Sequence, residues 1–174
     1  MSSPTTSDLD TLTAQKVVQT TSLLLSTVSS GVSLSFSVFV TPRLLESPTP
    51  LMLGQWRRTY ALGAATMPLA AVASAAAYAW LALRTPGARG RGFLAAAALT
   101  AGIVPYTWAF MLGVNRRLAE KEKEIGALAR EDKEVAVEEE RSAKGLVDWW
   151  GVLNLGRAGM LIAGSVCGLV ATVF

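Results

Sequence analysis

"DWWGVLNLGRAGMLIAGSVCGLVATVF" closes the chain, over residues 148–174. From Trp150 to Val173 it reads as one apolar helix of about 24 residues, enough to cross a hydrocarbon layer of roughly 30 Å at 1.5 Å per residue. Asn154 and Arg157 interrupt it. A guanidinium at the centre of a membrane helix costs on the order of 2.5–3.5 kcal/mol by insertion scales. The segment therefore fixes the fold class and points to the residue whose presence needs a reason.

Three more segments share its character, at 17–40, 60–83 and 92–114. Each holds about 23 or 24 residues, whereas membrane strands need only about 10 and alternate in polarity. Their many Ala, Gly and Ser residues suit close helix–helix approach. The expectation is an all-α membrane protein, a single domain over 1–174 built as a four-helix transmembrane bundle. Between helices 3 and 4 lies a long charged loop, 115–147, that should be helical in part. The stretch 41–59 reads as a proline-containing loop, and "LRTPGARGRG" (83–92) as a tight basic turn. Residues 1–13, rich in Ser and Thr and free of Lys and Arg, read as a polar tail rather than a signal peptide.

Composition agrees: 51% of the residues are hydrophobic, too many for an ordinary soluble domain of 174 residues. The net charge of +3 comes from basic residues beside apolar spans, so no nucleic-acid partner is indicated. The single cysteine, Cys167, excludes a disulfide within the chain and reads as packing. The chain has no histidine, the commonest ligand for haem and non-haem iron. Four spans put both termini on one side. Arg43, Arg57, Arg58, Arg116 and Arg117 flank loops one and three, against Lys16, Arg84, Arg89 and Arg91 opposite. The positive-inside rule then places loops one and three in the cytosol.

A weak repeat runs through the chain. "VTPRLLE" (40–46) and "VNRRLAE" (114–120) match at Val, Arg, Leu and Glu. "QWRRTYALG" (55–63) and "DWWGVLNLG" (148–156) match at Trp, Leu and Gly. Two parallel hairpins related by an axis along the membrane normal would give this pattern; chance similarity over so few positions would too.

The polar residues converge. Trp150, Asn154, Arg157 and Leu161 are spaced to share one helix face. Thr107, Met111 and Asn115 share a face on helix 3, as do Arg57, Tyr60 and Ala64 on helix 2. All fall in the half of the bundle nearest loops one and three. The opposite half reads as almost wholly Ala, Leu, Val and Gly. Arg157 has two readings: snorkelling, or an ion pair with Asp148 or a neighbouring helix end; and a cavity wall holding an anion. Asn154 and Asn115 read equally as interhelical glue and as ligand contacts. Trp149 and Trp150 have the look of an interfacial belt, as does Tyr60. Pro68 and Pro105 read as kinks.

"SFSVFVTPRLL", "QWRRTYALGAATMP", "PYTWAFMLGVNRRL" and "LVDWWGVLNLGRAGMLIAG", in that order, resemble the small four-span membrane family that contains the fungal anthrone oxygenases. The most specific elements are Pro105, Thr107, Asn115 and Leu118, with Trp150, Asn154 and Arg157. The resemblance implies oxidation of an anthrone-type aromatic polyketide to an anthraquinone with O2, in an endomembrane such as the endoplasmic reticulum. The chemistry is self-contained. An anthrone carries a doubly activated methylene; deprotonation gives a delocalised anion that can reduce O2, and the resulting hydroperoxide loses water to leave the quinone. The expectation is therefore no cofactor and no metal, with O2 as cosubstrate. Arg157 would stabilise the anion and Asn154 orient substrate oxygens, with Asp148 and Tyr60 as candidate bases. Trp150, Asn115, Thr107, Met111 and Arg57 would bind substrate. The alternatives are a non-enzymatic membrane scaffold for a biosynthetic complex, which a closed bundle with Arg157 bridged to Asp148 would favour, and a small-molecule carrier. Four spans without a broken midplane pair argue against the carrier.

Overall fold

The computed structural model describes residues 6–131 and 133–174. The chain runs α1 (Thr6–Ser35), a π-helical stretch (Phe36–Val40), α2 (Thr41–Leu45), α3 (Thr49–Arg84), α4 (Gly87–Ala101) and α5 (Ile103–Tyr106). A second π-helical stretch (Thr107–Met111) leads into α6 (Leu112–Arg130), and α7 (Val137–Val173) follows. There is no strand among the described residues. Four continuous helical paths are long and apolar enough to cross a membrane: Leu12–Leu45, Thr49–Arg84, Gly87–Arg130 and Val137–Val173. The protein is an all-α, four-helix membrane protein.

Helix extends well beyond the apolar windows. The stretch 41–59 is not a loop: α2 and α3 occupy nearly all of it, leaving 46–48 as the connection. Pro42 and Pro50 sit in the first turns of α2 and α3, where no internal donor is needed, so they start helices rather than break them. Likewise Pro86 caps α4, and the basic residues of "GARGRG" are its first turns. The tail reading of residues 1–13 gives way to helix from Thr6; residues 1–5 lie outside those described. Most of 115–147 is the end of α6 and the start of α7, joined through 131–136.

Prolines inside the spans have separate effects. Pro105 cannot donate to the Ala101 carbonyl, and α4 stops at Ala101. Pro68 lies within the continuous α3. Each π-helical stretch closes a ring one residue wider than an α-turn: Thr41 N–H donates to the Phe36 carbonyl and Leu112 N–H to the Thr107 carbonyl. Both stretches end at or shortly before the matched "VTPRLLE" and "VNRRLAE". The matched tryptophans do not correspond in environment. Trp56 is fully buried, whereas Trp149 is 51% exposed.

The chain resolves into two compact units, each drawing a segment from all four helical paths. One comprises Gly31–Pro68 and Ile103–Gly159; the other comprises residues up to Ser30, Leu69–Gly102 and Met160–Phe174. The first is built on a buried cluster that includes Leu44, Met52, Leu53, Trp56, Met111, Leu118, Ile125, Val147 and Trp150. Leu118 and Ile125, seven apart on charged α6, share this cluster with Ala143 and Val147 of α7. An ion pair from Lys121 to Glu139 ties the same two arms outside it.

In the second unit, Tyr78, Leu81, Phe93, Ala96 and Ala171 form the apolar cluster. The expectation of an almost wholly apolar half needs correcting here. Ser22, Ser26, Ser29, Ser30 and Ser165 are buried. Ser26 Oγ meets Tyr78 Oη at 2.7 Å and accepts from Ser165 Oγ at 3.1 Å. Ser30 Oγ donates to the Ser26 carbonyl at 2.7 Å. A serine hydroxyl can return its hydrogen to the preceding helical turn, so a serine-rich face is tolerated inside a membrane protein where it would otherwise be costly.

Candidate functional site

Within the first unit lies a cavity of about 240 Å³. Its wall is assembled from Phe36, from Thr59, Tyr60, Gly63, Ala64 and Pro68 of α3, and from Ile103 and Val104 of α5. Thr107, Trp108 and Met111 of the second π-helical stretch, Leu112 and Asn115 of α6, and Trp150, Asn154 and Arg157 of α7 complete it. Ile103, Met111, Asn115, Trp150 and Asn154 are buried and form its floor. Ala64, Pro68, Trp108 and Leu112 are exposed and form its rim.

Two close approaches set the geometry. The α7 backbone at Gly156 runs under Tyr106; a Cβ there would fall 2.2 Å from the phenol oxygen, which donates to the Leu153 carbonyl at 3.0 Å. At Gly151, a Cβ would fall 2.7 Å from Thr41 Cγ2, and Ser37 Oγ donates to the Gly151 carbonyl at 2.7 Å. Together these hold α7 against the first and third helical paths, with Trp150, Asn154 and Arg157 turned to the cavity. Aromatic contacts brace the same wall. Trp56 stacks on Tyr60 at 5.2 Å and meets Trp150 edge-on at 6.4 Å, and Phe36 lies 6.0 Å from Trp150.

The polar groups on the cavity wall are under-satisfied. Asn154 Nδ2 donates to the Trp150 carbonyl at 2.8 Å, but its Oδ1 has no partner; nor does Asn115 Oδ1. Arg157 Nε is buried without an acceptor, and one terminal nitrogen donates to the Met111 sulfur at 3.9 Å. No carboxylate lies within ion-pair distance of Arg157 among the described residues. Buried polar groups in native proteins are nearly always paired, so two unpartnered amide oxygens and a guanidinium on residues that line one cavity make that cavity the candidate site for a polar ligand. A ligand complementary to this set would donate to the amides and present negative charge to the arginine.

Seven of the nine residues singled out from sequence line this cavity: Tyr60, Thr107, Met111, Asn115, Trp150, Asn154 and Arg157. Thr107 does so with its hydroxyl turned back to the Ile103 carbonyl at 2.7 Å. Asp148 and Arg57 do not. Asp148 is exposed beside Glu140, Arg141 and Lys144 on an open surface groove. It stands nine residues from Arg157, two and a half helical turns, and so faces the other way. Arg57 is exposed, and Trp56, one residue earlier, takes the inward position. Trp150 is not an interfacial anchor; only Trp149 is exposed as a belt residue would be. Phe36, Tyr106, Ile103, Val104 and Trp108 were not anticipated. For Tyr106 a signal existed in the glycine spacing of α7; for the others apolar character alone cannot separate a cavity wall from a lipid-facing surface.

The sequence model of the anthrone oxygenase family matches residues 56–167, which takes in almost all of this wall. The chain belongs to the anthrone oxygenase family. Among curated relatives of this anthrone oxygenase family member, monooxygenase hypC of Dothistroma septosporum is 31% identical over 160 residues, covering 86% of this chain and 80% of its own. The anthrone oxygenase of Claviceps purpurea is 34% identical over 144 residues, covering 80% and 79%. Anthrone oxygenase encC of Aspergillus fumigatus is 34% identical over 160 residues, covering 83% and 86%. No solved structure matches the chain. Membership makes the protein an oxygenase embedded in a membrane. Among the described residues no three His, Cys, Asp or Glu side chains are grouped as metal ligands would be.

Proposed function

We propose that the protein oxidises an anthrone-type aromatic polyketide to the corresponding anthraquinone with O2, through a substrate anion held by Arg157. The observation that carries this reading is the unpaired guanidinium on the cavity wall beside two unpartnered amide oxygens. A hydroxylated tricyclic ketone matches that set: phenolic hydroxyls donate to Asn115 and Asn154, and the ketone oxygen, which becomes the enolate oxygen, accepts from Arg157. Trp150 supplies a flat face beside the ring system.

Deprotonation of the methylene leaves its electron pair delocalised onto that oxygen. A fixed cation in a water-poor site favours this form, which is electrostatic stabilisation of developing charge. Tyr60 places a phenol oxygen on the wall and relays the proton; Asp148 is too far round α7 to do so. One electron passes to O2, the radical and superoxide combine at the methylene carbon, and protonation gives a hydroperoxide. Loss of water from it forms the second carbonyl. One O2 is consumed per methylene, one oxygen atom enters the quinone and the other leaves as water. All four electrons that reduce O2 come from oxidation of the methylene to the carbonyl, so the reaction requires no metal or organic cofactor. Loops one and three face the cytosol of an endomembrane, and substrate reaches the cavity past the apolar rim formed by Ala64, Pro68, Trp108 and Leu112.

The test is addition of a hydroxylated anthrone to anaerobically purified protein, followed by air. Equal consumption of O2 and formation of quinone, well above the spontaneous rate and without stoichiometric metal in the sample, is the expected result. A rate equal to the protein-free control would refute the oxygenase assignment. Bound iron or copper whose removal abolishes turnover would refute the cofactor-free mechanism.

A further inference from the structure

The Met111 thioether stands where the buried cluster of the first unit meets the cavity. It is buried, yet it lines the cavity, and its sulfur touches the Arg157 guanidinium at 3.9 Å. The other described methionines differ: Met52 is in the apolar core away from the cavity, Met160 belongs to the second unit, and Met67 is half-buried without lining the cavity. A thioether is a two-electron oxygen acceptor, and a guanidinium that hydrogen-bonds to a peroxide makes its outer oxygen more electrophilic. Acceptor and activator therefore stand together on the wall of one cavity.

We propose that Met111 is the site at which an organic hydroperoxide bound in the cavity oxidises the enzyme itself. The inference rests on the proposed reaction for the source of that hydroperoxide. In the step, the O–O bond breaks and the outer oxygen bonds to sulfur. The hydroperoxide is reduced to its alcohol and the thioether is oxidised to the sulfoxide, with the proton passing from the outer oxygen to the inner one, which becomes the alcohol oxygen. The new sulfoxide oxygen is a strong acceptor beside Arg157 and occupies the donors the substrate anion needs. Each such event stops the enzyme until the sulfoxide is reduced.

The experiment has two arms, both read by peptide mass spectrometry on the intact, detergent-purified protein. In the first, the protein turns over a hydroxylated anthrone in air or under argon while quinone is followed. Met111 gains one oxygen atom in air and none under argon, ahead of Met67, Met52 and Met160. Turnover falls roughly 10²-fold as modification completes, the range for removing one such donor, and a methionine sulfoxide reductase restores it. In the second arm, cumene hydroperoxide is added with no anthrone present. Met111 is oxidised ahead of Met67, and Arg157→Gln slows its oxidation about tenfold relative to Met67. Absence of quinone in the first arm would refute the functional reading alone. Oxidation of Met67 before Met111 by cumene hydroperoxide, or an unmodified Met111 after activity has decayed, would overturn this proposal whatever the first arm shows.

Discussion

At the scale of the residue, Arg157 is the costliest side chain in the four spans. An unpaired guanidinium inside a membrane helix is retained against a cost of about 2.5–3.5 kcal/mol, so removing its charge relieves the fold while harming a reaction that uses it. Arg157→Met should insert and unfold thermally at or above the wild-type temperature. Its turnover should fall roughly 10²–10³-fold, as for loss of one oxyanion-type donor. Arg157→Lys keeps a charge without the planar fork of donors and should lie between. Anthrone oxidation and thermal unfolding of purified variants check both. Wild-type turnover in Arg157→Met, or its failure to fold, would make the arginine structural. This residue and its neighbours were legible because Trp150, Asn154 and Arg157 fall at helical spacing in a segment with few other polar residues. Asp148 misled because nearness in sequence suggested nearness in space, while the helical phase turns it outward. Arg57 misled by one position: the wide ring of Trp56 fills the inward site, and the guanidinium keeps to the exposed face.

At the scale of the element, α6 is the informative case. Composition marks 115–147 as charged and solvated, yet Ile125 is 1% exposed within the cluster that also holds Leu118, Ala143 and Val147. The arm is a packed pair of helical ends with an apolar seam. Ile125→Ala should cost about 2–5 kcal/mol, as for burying a cavity in a core. The exposed neighbour Lys123→Ala should change stability by less than about 0.5 kcal/mol. Equal thermal shifts for the two would show that the arm is not packed. The π-helical stretches could not be foreseen, since one residue of extra width leaves no mark on an apolar pattern. The four spans themselves could, because only a helix satisfies every backbone group within 24 or so apolar residues. What hydropathy could not give was their ends: helix continues into charged sequence once the apolar window stops.

At the scale of the whole molecule, the basic residues beside loops one and three predict an orientation, with those loops in the cytosol. In sealed microsomes, trypsin added outside should cut near Lys133, in the connection between α6 and α7, while the chain start remains protected. Protection of that connection until the membrane is opened would reverse the topology. The two compact units also differ in how far composition describes them. The buried serines of α1 are common in sequence and unremarked by any hydropathy window, but their hydroxyls turn inward to Tyr78 and Ser165.

The exposed rim of the cavity, Ala64, Pro68, Trp108 and Leu112, has a consequence for enzymology. A greasy substrate that arrives past such a rim is sampled from the surrounding amphiphile, so the concentration the enzyme experiences is a two-dimensional one. Rates should follow the mole fraction of anthrone in the micelle or bilayer rather than its molarity in the tube. At fixed enzyme and fixed total anthrone, added detergent should slow the reaction by surface dilution. An apparent KM expressed per litre should then rise in proportion to detergent, while one expressed per lipid molecule stays constant.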